Sequence, residues 1–207
     1  MLERTIAAIA TSAGDGALGV IRISGSNAFS IADKVFFAFS GKPLSELSGY
    51  SAAYGQVKDG DNVLDDAVAV VFKAPHSFTG EDTVEFTLHG GSIMLRSALR
   101  LIYKNGAFPA EAGEFTKRAF LNGKTDLTRA ESIMGLISSQ SDAELKLSRQ
   151  AHSGKISQKI ESIISSLLSA DASISVYSDY PDEDIADLSP KTSAGCSKTP
   201  KKSLKLS

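Results

Sequence analysis

Thr83-Val84-Glu85-Phe86-Thr87-Leu88-His89 alternates apolar and polar residues without a break. Val84, Phe86 and Leu88 fall on one face; Thr83, Glu85 and Thr87 fall on the other, the period of a half-buried strand. Gly90-Gly91 then turns the chain. Ser92 to Lys104 reads as a helix, stopped by Asn105-Gly106.

Working towards the N-terminus, strands are expected over Ser51 to Val57 and Ala67 to Phe72, joined by a polar turn at Asp59-Gly60-Asp61. Residues 38 to 50 read as a loop. Ser26 is a plausible N-cap for a helix through Phe37. Gly19 to Ser24 and Thr5 to Ala10 read as two further strands around a small-residue turn at Ser12 to Gly16. Towards the C-terminus, Glu114 to Asn122 is expected to be a short helix ending at Gly123. Thr128-Arg-Ala-Glu131 has the form of a capping box, and from there to about Tyr177 the pattern is helical, with a bend at His152-Ser153-Gly154. Ile133, Met134, Leu136 and Ile137 make one apolar stripe. Ile156, Ile160, Ile163, Ile164, Leu167 and Leu168 make another. Both stripes need a cover, either further helices or a second copy of the chain. The Lys- and Ser-rich stretch from residue 191 to 207 shows no period and reads as disordered or non-native.

Bulk properties narrow the function. The 207 residues are 42% hydrophobic and 22% charged, with a net charge of -2, as in an ordinary globular chain and without a strongly basic nucleic-acid footprint. One cysteine, Cys196, builds neither a disulfide framework nor a cysteine-rich metal site, and three scattered histidines add no zinc site; a reducing, cytoplasmic compartment fits. The start does not read as a signal peptide, and no apolar run approaches the length of a membrane span.

Three motifs mimic chemistry. Gly14-Asp-Gly-Ala-Leu-Gly19 satisfies G-x-G-x-x-G, but Val20-Ile-Arg-Ile23 favours a strand where a dinucleotide site needs a helix. Gly123-Lys124-Thr125 resembles the end of a Walker A loop, yet Arg118 occupies the position of its first glycine. His89-Gly90-Gly91 resembles an oxyanion-hole loop, but no G-x-S-x-G elbow accompanies it. The plainer expectation for His89 is a local hydrogen bond at a strand end. No catalytic residue stands out.

Four blocks, in order, resemble the tRNA wobble-uridine modification GTPase family (TrmE/MnmE). They are Gly19-Val-Ile-Arg-Ile-Ser-Gly25; Ser77-Phe-Thr-Gly-Glu-Asp82 with Val84-Glu85 and His89-Gly90-Gly91; Gly113-Glu-Phe-Thr-Lys-Arg-Ala-Phe-Leu-Asn-Gly-Lys-Thr-Asp-Leu127; and Tyr180-Pro-Asp-Glu-Asp184. The resemblance runs from about residue 5 to about 189. It departs at Ser12-Ala13 and Glu111-Ala112, where the family carries proline and Arg-Pro.

The resemblance implies an α+β fold: a small mixed-sheet domain over 1–123, similar to the tetrahydrofolate-binding part of glycine-cleavage aminomethyltransferases, then a partial all-α helical segment over 124–190. It implies a homodimer that binds 5-formyltetrahydrofolate as one-carbon donor near its interface, with Arg22, Glu85 and Lys124 as the contacting residues. A carboxylate such as Glu85 accepts the adjacent N–H and NH₂ of a pterin, and a cation at 22 or 124 pairs the folate carboxylates. In the family a GTPase domain, requiring potassium and magnesium, and a flavin-containing partner protein complete the modification of tRNA. Neither the Walker A loop nor the C-terminal cysteine motif occurs here, so the expectation is an inactive fragment that meets tRNA only indirectly. The alternatives are a dimerisation module without folate affinity and an aminomethyltransferase-like folate enzyme.

Overall fold

A computed structural model describes residues 4–12, 14 and 16–179. Tyr180-Pro-Asp-Glu-Asp184, the 191–207 stretch and Cys196 lie outside them. The chain divides after Ala130 into two compact units.

In the first unit, seven strands form one sheet: β1 (Ile6–Ile9), β2 (Leu18–Ser24), β3 (Phe36–Ala38), β4 (Ser51–Asp59), β5 (Asn62–Phe72), β6 (Thr83–His89) and β7 (Phe108–Pro109). Their order is β3-β4-β5-β6-β2-β1-β7, antiparallel throughout except for the parallel β1–β7 pair. Helices α1 (Ala28–Val35) and α2 (Ser92–Lys104) pack on one face. Ile21, Ile23, Ala69, Val71, Val84, Phe86 and Leu88 point into that layer and are buried. Phe36 stacks on Phe86 with ring centroids 5.4 Å apart. A short helix, α3 (Glu114–Leu121), follows β7.

The expected mixed sheet with helices, followed by a helical segment, is what forms. β6 and α2 have the expected bounds. Four local expectations change. The helix from Ser26 starts at Ala28 and stops at Val35, because Phe36 and Phe37 pair with Val57 and Gln56 on β4. The 38–50 loop holds a 3₁₀ turn, Leu44–Glu46, whose Leu44 amide donates to Asp33 Oδ1 at 2.6 Å. β5 begins five residues before Ala67. The capping box at Thr128 is not formed: helix α4 (Leu127–Ser138) starts earlier, and Asp126 Oδ1 accepts from the Arg129 amide at 2.8 Å.

The second unit contains most of α4, α5 (Asp142–His152) and α6 (Lys155–Asp179). One break was unexpected. Ser141 caps α5, accepting from the Glu144 amide at 3.3 Å, while the Glu144 carboxylate accepts from the Gln140 amide at 2.8 Å. Gly154, with φ of 76°, makes the expected second break. Ser132 Oγ on α4 and His152 Nδ1 on α5 lie 3.1 Å apart. The α6 stripe is exposed throughout, for example Ile163 at 57% and Leu168 at 63%. Among the described residues, no helix is long and apolar enough to cross a membrane.

The two glycine motifs have packing roles. A Cβ on Gly90 would lie 2.3 Å from the Gly16 carbonyl oxygen, and one on Gly19 would lie 2.4 Å from Leu95 of α2. β2 begins at Leu18, so a strand follows Gly14–Gly19 where a dinucleotide site needs a helix. His89 is hydrogen-bonded at its strand end, but not locally in the chain as expected: its amide and its Nδ1 meet the two carboxylate oxygens of Asp65, 24 residues away on β5, at 2.8 and 2.7 Å. That hydrogen bond, helped by the Asp65 charge, raises the imidazole above its ordinary value against a small opposing effect of burial. The stabilising contribution of His89 is therefore full below the ordinary imidazole pKa and fades as pH rises through the raised one. In Asp65→Asn, the His89 titration followed by NMR is expected to fall back towards the ordinary range. A midpoint unchanged by the substitution would remove Asp65 as its cause.

Candidate site at the β2–β6 ladder

β2 and β6 pair so that Arg22 stands directly opposite Glu85 on the sheet face away from α1 and α2. Directly opposed residues on one face lie within side-chain reach. Arg22 Nε donates to Glu85 Oε1 at 2.7 Å, and the two side chains are 25% and 24% exposed. Glu85 is therefore not free, as its place on the polar strand face had suggested; it is half-engaged by Arg22. Its second oxygen has no hydrogen-bond partner among the described residues. Arg22 in turn has one nitrogen committed to Glu85.

Two aromatic rings flank the Arg22 guanidinium. Its central carbon lies 5.3 Å from the Phe78 ring centre and 5.5 Å from that of Phe115. Both are in the cation–π range. Phe78 belongs to the segment joining β5 to β6, and Phe115 to the first turn of α3. Lys124 reaches the same segment. Its Nζ donates to the Pro75 carbonyl at 2.9 Å, and its stem lies 3.1 Å from where a Cβ on Gly80 would sit. Of the three expected residues, two are in direct contact, and the third is fastened to the segment whose Phe78 covers Arg22.

The two ring-bearing segments also carry a buried ionic cluster that the sequence patterns did not single out. Arg118 of α3 has a side-chain exposure of 0%. Its Nη1 donates to both oxygens of Glu81 at 3.1 Å, and its Nη2 to Glu114 Oε1 at 2.9 Å and to the Arg4 carbonyl at 3.0 Å. Ser24 Oγ, at the end of β2, donates to Glu81 Oε2 at 2.8 Å and bonds Thr79 Oγ1 at 2.7 Å. Asn122 Nδ2 donates to the Thr79 carbonyl at 2.7 Å. Burial pushes the Glu114 carboxyl up, but the Glu111 amide, Arg118 and Arg4 outweigh it and hold the group below the usual carboxylate range. Every one of these side chains except Arg4 and Ser24 comes from the Ser77–Asp82 or Gly113–Leu127 block. The local signal available in the sequence was the i,i+4 spacing of Glu114 and Arg118 in one expected helix.

The candidate site is an open sheet face with an acceptor, the Arg22 cation and two flat walls, and Lys124 sits on the adjoining segment. Cavities of about 310 Å³ beside Gly90 and about 260 Å³ beside Arg100 lie elsewhere in this unit and are lined by none of the three residues.

Comparison with known proteins adds two family matches. Residues 5–124 match the family described as the N-terminus of the GTP-binding protein TrmE, and residues 127–205 match the MnmE helical domain. The chain is 39% identical over 191 residues to the tRNA modification GTPase MnmE of Clostridioides difficile (strain 630), covering 92% of this chain and 42% of that protein. It is 44% identical over 182 residues to the protein of the same name from Chlorobium phaeobacteroides, covering 87% and 38%. Against that from Listeria welshimeri it is 42% identical over 180 residues, covering 87% and 39%. The chain thus spans about two fifths of the length of these curated relatives.

Proposed function

Because the chain belongs to the TrmE/MnmE family of tRNA modification GTPases, we propose that it supplies the folate-binding and dimer-forming part of such a protein. The observation that carries this reading is the Arg22–Glu85 pair with its aromatic flanks. A reduced pteridine presents an N–H beside an NH₂, and the uncommitted oxygen of Glu85 is an acceptor for them. Phe78, 44% exposed, offers a flat wall to the ring. Arg22 and Lys124 are the cations available to the folate carboxylates. The bound 5-formyltetrahydrofolate would supply a one-carbon unit; the chain's own residues bind and orient it.

Dimerisation is supported by the same sheet face. Phe37, Phe39, Tyr54 and Val68 are exposed there beside the site, a large apolar patch for a monomer. A second copy seated on it would close the open side of the site. GTP hydrolysis, with its potassium and magnesium, falls to a stretch of the relatives that these residues do not match. Contact with tRNA is then indirect, through the rest of the protein and a flavin-containing partner, in the cytoplasm.

Calorimetry with 5-formyltetrahydrofolate tests the proposal. The wild-type chain is expected to bind, and Glu85→Ala to bind roughly tenfold to a hundredfold more weakly, the worth of a charge-assisted hydrogen bond of about 1.5–3 kcal/mol. Absence of heat with the wild type would leave the competing reading, a dimerisation module in which Arg22 and Glu85 merely satisfy each other. Equal affinity for the two proteins would remove Glu85 from the site.

A further inference from the structure

We infer that Arg118 is a positioning residue for this site: from a wholly buried place it sets the two phenylalanines that enclose Arg22. The inference rests on the reading of Arg22 and Glu85 as the ligand-gripping pair. Arg118 touches neither ring and neither member of the pair in any contact described above. It acts through two carboxylates. Glu81 lies three residues after Phe78 on the segment between β5 and β6, and Glu114 immediately precedes Phe115 on α3. Arg118 binds Glu81 through Nη1 and Glu114 through Nη2 and Nε, so one guanidinium joins the two ring-bearing segments.

The geometry leaves little slack. Every nitrogen of Arg118 donates to a named acceptor. The planar, five-donor fork fixes the two carboxylates relative to each other in a way a flexible ammonium does not. The cluster is tied to the sheet by Ser24 Oγ on Glu81, two residues along β2 from Arg22. The segment between β5 and β6 has no regular structure of its own; Ser24, Asn122 and Arg118 anchor its side after Phe78, and Lys124 anchors it before Phe78 at Pro75. A ligand wall built on such a segment is only as well placed as its supporting contacts.

Each of the two charged blocks contributes one aromatic wall and one carboxylate, and α3 contributes the cation that aligns them. A purely structural staple would require the carboxylates and Arg118, but not an aromatic residue beside each.

The test uses the full chain and three readouts: thermal midpoint, the Arg22 Nε–H resonance without ligand, and affinity for 5-formyltetrahydrofolate. In Glu81→Gln the amide oxygen still accepts from Arg118 or Ser24, but the charged two-point grip is lost. The expected result is a folded protein whose Arg22 Nε–H signal shifts and exchanges faster, with affinity on the order of tenfold weaker. If Glu81→Gln does not fold, Ser24→Ala, which removes the sheet-side hydroxyl shared by Glu81, Thr79 and Thr83 and leaves the Arg118–Glu81 pair in place, is expected to move the same two readouts in the same direction. A folded variant with the wild-type Arg22 signal and wild-type affinity overturns the inference. Should the wild type bind no folate, the functional reading fails alone: the Arg22 resonance in the ligand-free variants still decides whether Arg118 and its carboxylates position the pair.

Discussion

Arg118→Met is expected to cost about 3–5 kcal/mol of stability, enough to unfold a large share of the chain under ordinary conditions. The methionine fills much of the space but neutralises nothing. Glu81 and Glu114, the latter with a side chain only 3% exposed, would lose the guanidinium that pairs both, leaving Glu114 only the weaker influence of Arg4. The Arg4 carbonyl, both oxygens of Glu81 and one oxygen of Glu114 would each lose a donor at once. Removing one partner of a buried ionic cluster is far more costly than replacing the whole cluster by apolar groups. The triple change Glu81→Leu, Glu114→Leu, Arg118→Met should accordingly recover a good part of the loss. Urea denaturation followed by circular dichroism measures both, and a loss below about 1 kcal/mol for the single change would contradict this view of the cluster. Its pH dependence has a definite sign. The Glu114 carboxyl is held low in the fold, so its contribution is present above the ordinary carboxylate range and is lost as pH falls through the depressed value.

Gly25→Ala should lose roughly 2–5 kcal/mol, for two independent reasons. Gly25 closes β2 and turns the chain into α1 with φ of 137°, where a side chain is strained whatever the space. A Cβ there would also lie 2.7 Å from both the Cα and the Oγ1 of Thr5, and Thr5 Oγ1 already accepts the Asn27 amide at 2.9 Å. Backbone cannot yield as a side-chain tip can. Gly60, in the β4–β5 turn, supplies the contrast. It too has positive φ, 64°, but nothing lies within 4 Å of its hypothetical Cβ, so Gly60→Ala should cost only about 1 kcal/mol. Equal melting temperatures for the two variants would show that the Thr5 contact adds nothing.

What could be read from sequence followed the range of the interactions involved. β6 was legible because alternation over seven residues is a local property of a strand with one dry face. α2 was legible because Asn105-Gly106 ends it. β3 and β7, of three and two residues, were not, since such short edge strands exist only by pairing with β4 and β1. The break at Ser141 carried a readable capping signal in Ser141-Asp-Ala-Glu144, which the continuous helical period around it obscured. At the candidate site, alternation placed Glu85 on the polar face but could not supply the register that sets Arg22 against it. The rings of Phe78 and Phe115, and the cluster beneath them, come from contacts between segments tens of residues apart. Among them only the Arg118–Glu114 pair, at i,i+4 along one helix, was open to local inspection.

The most direct test maps the bound ligand on the folded chain. Titration with 5-formyltetrahydrofolate, followed by NMR of the backbone and of the arginine side chains, should perturb Arg22, Phe78, Glu85, Phe115 and Lys124 together, with the Arg22 Nε–H signal moving most. Saturable binding whose shifts gather elsewhere, around Thr11 and Gly90 or along α6, with Arg22 and Glu85 unmoved, would contradict the site.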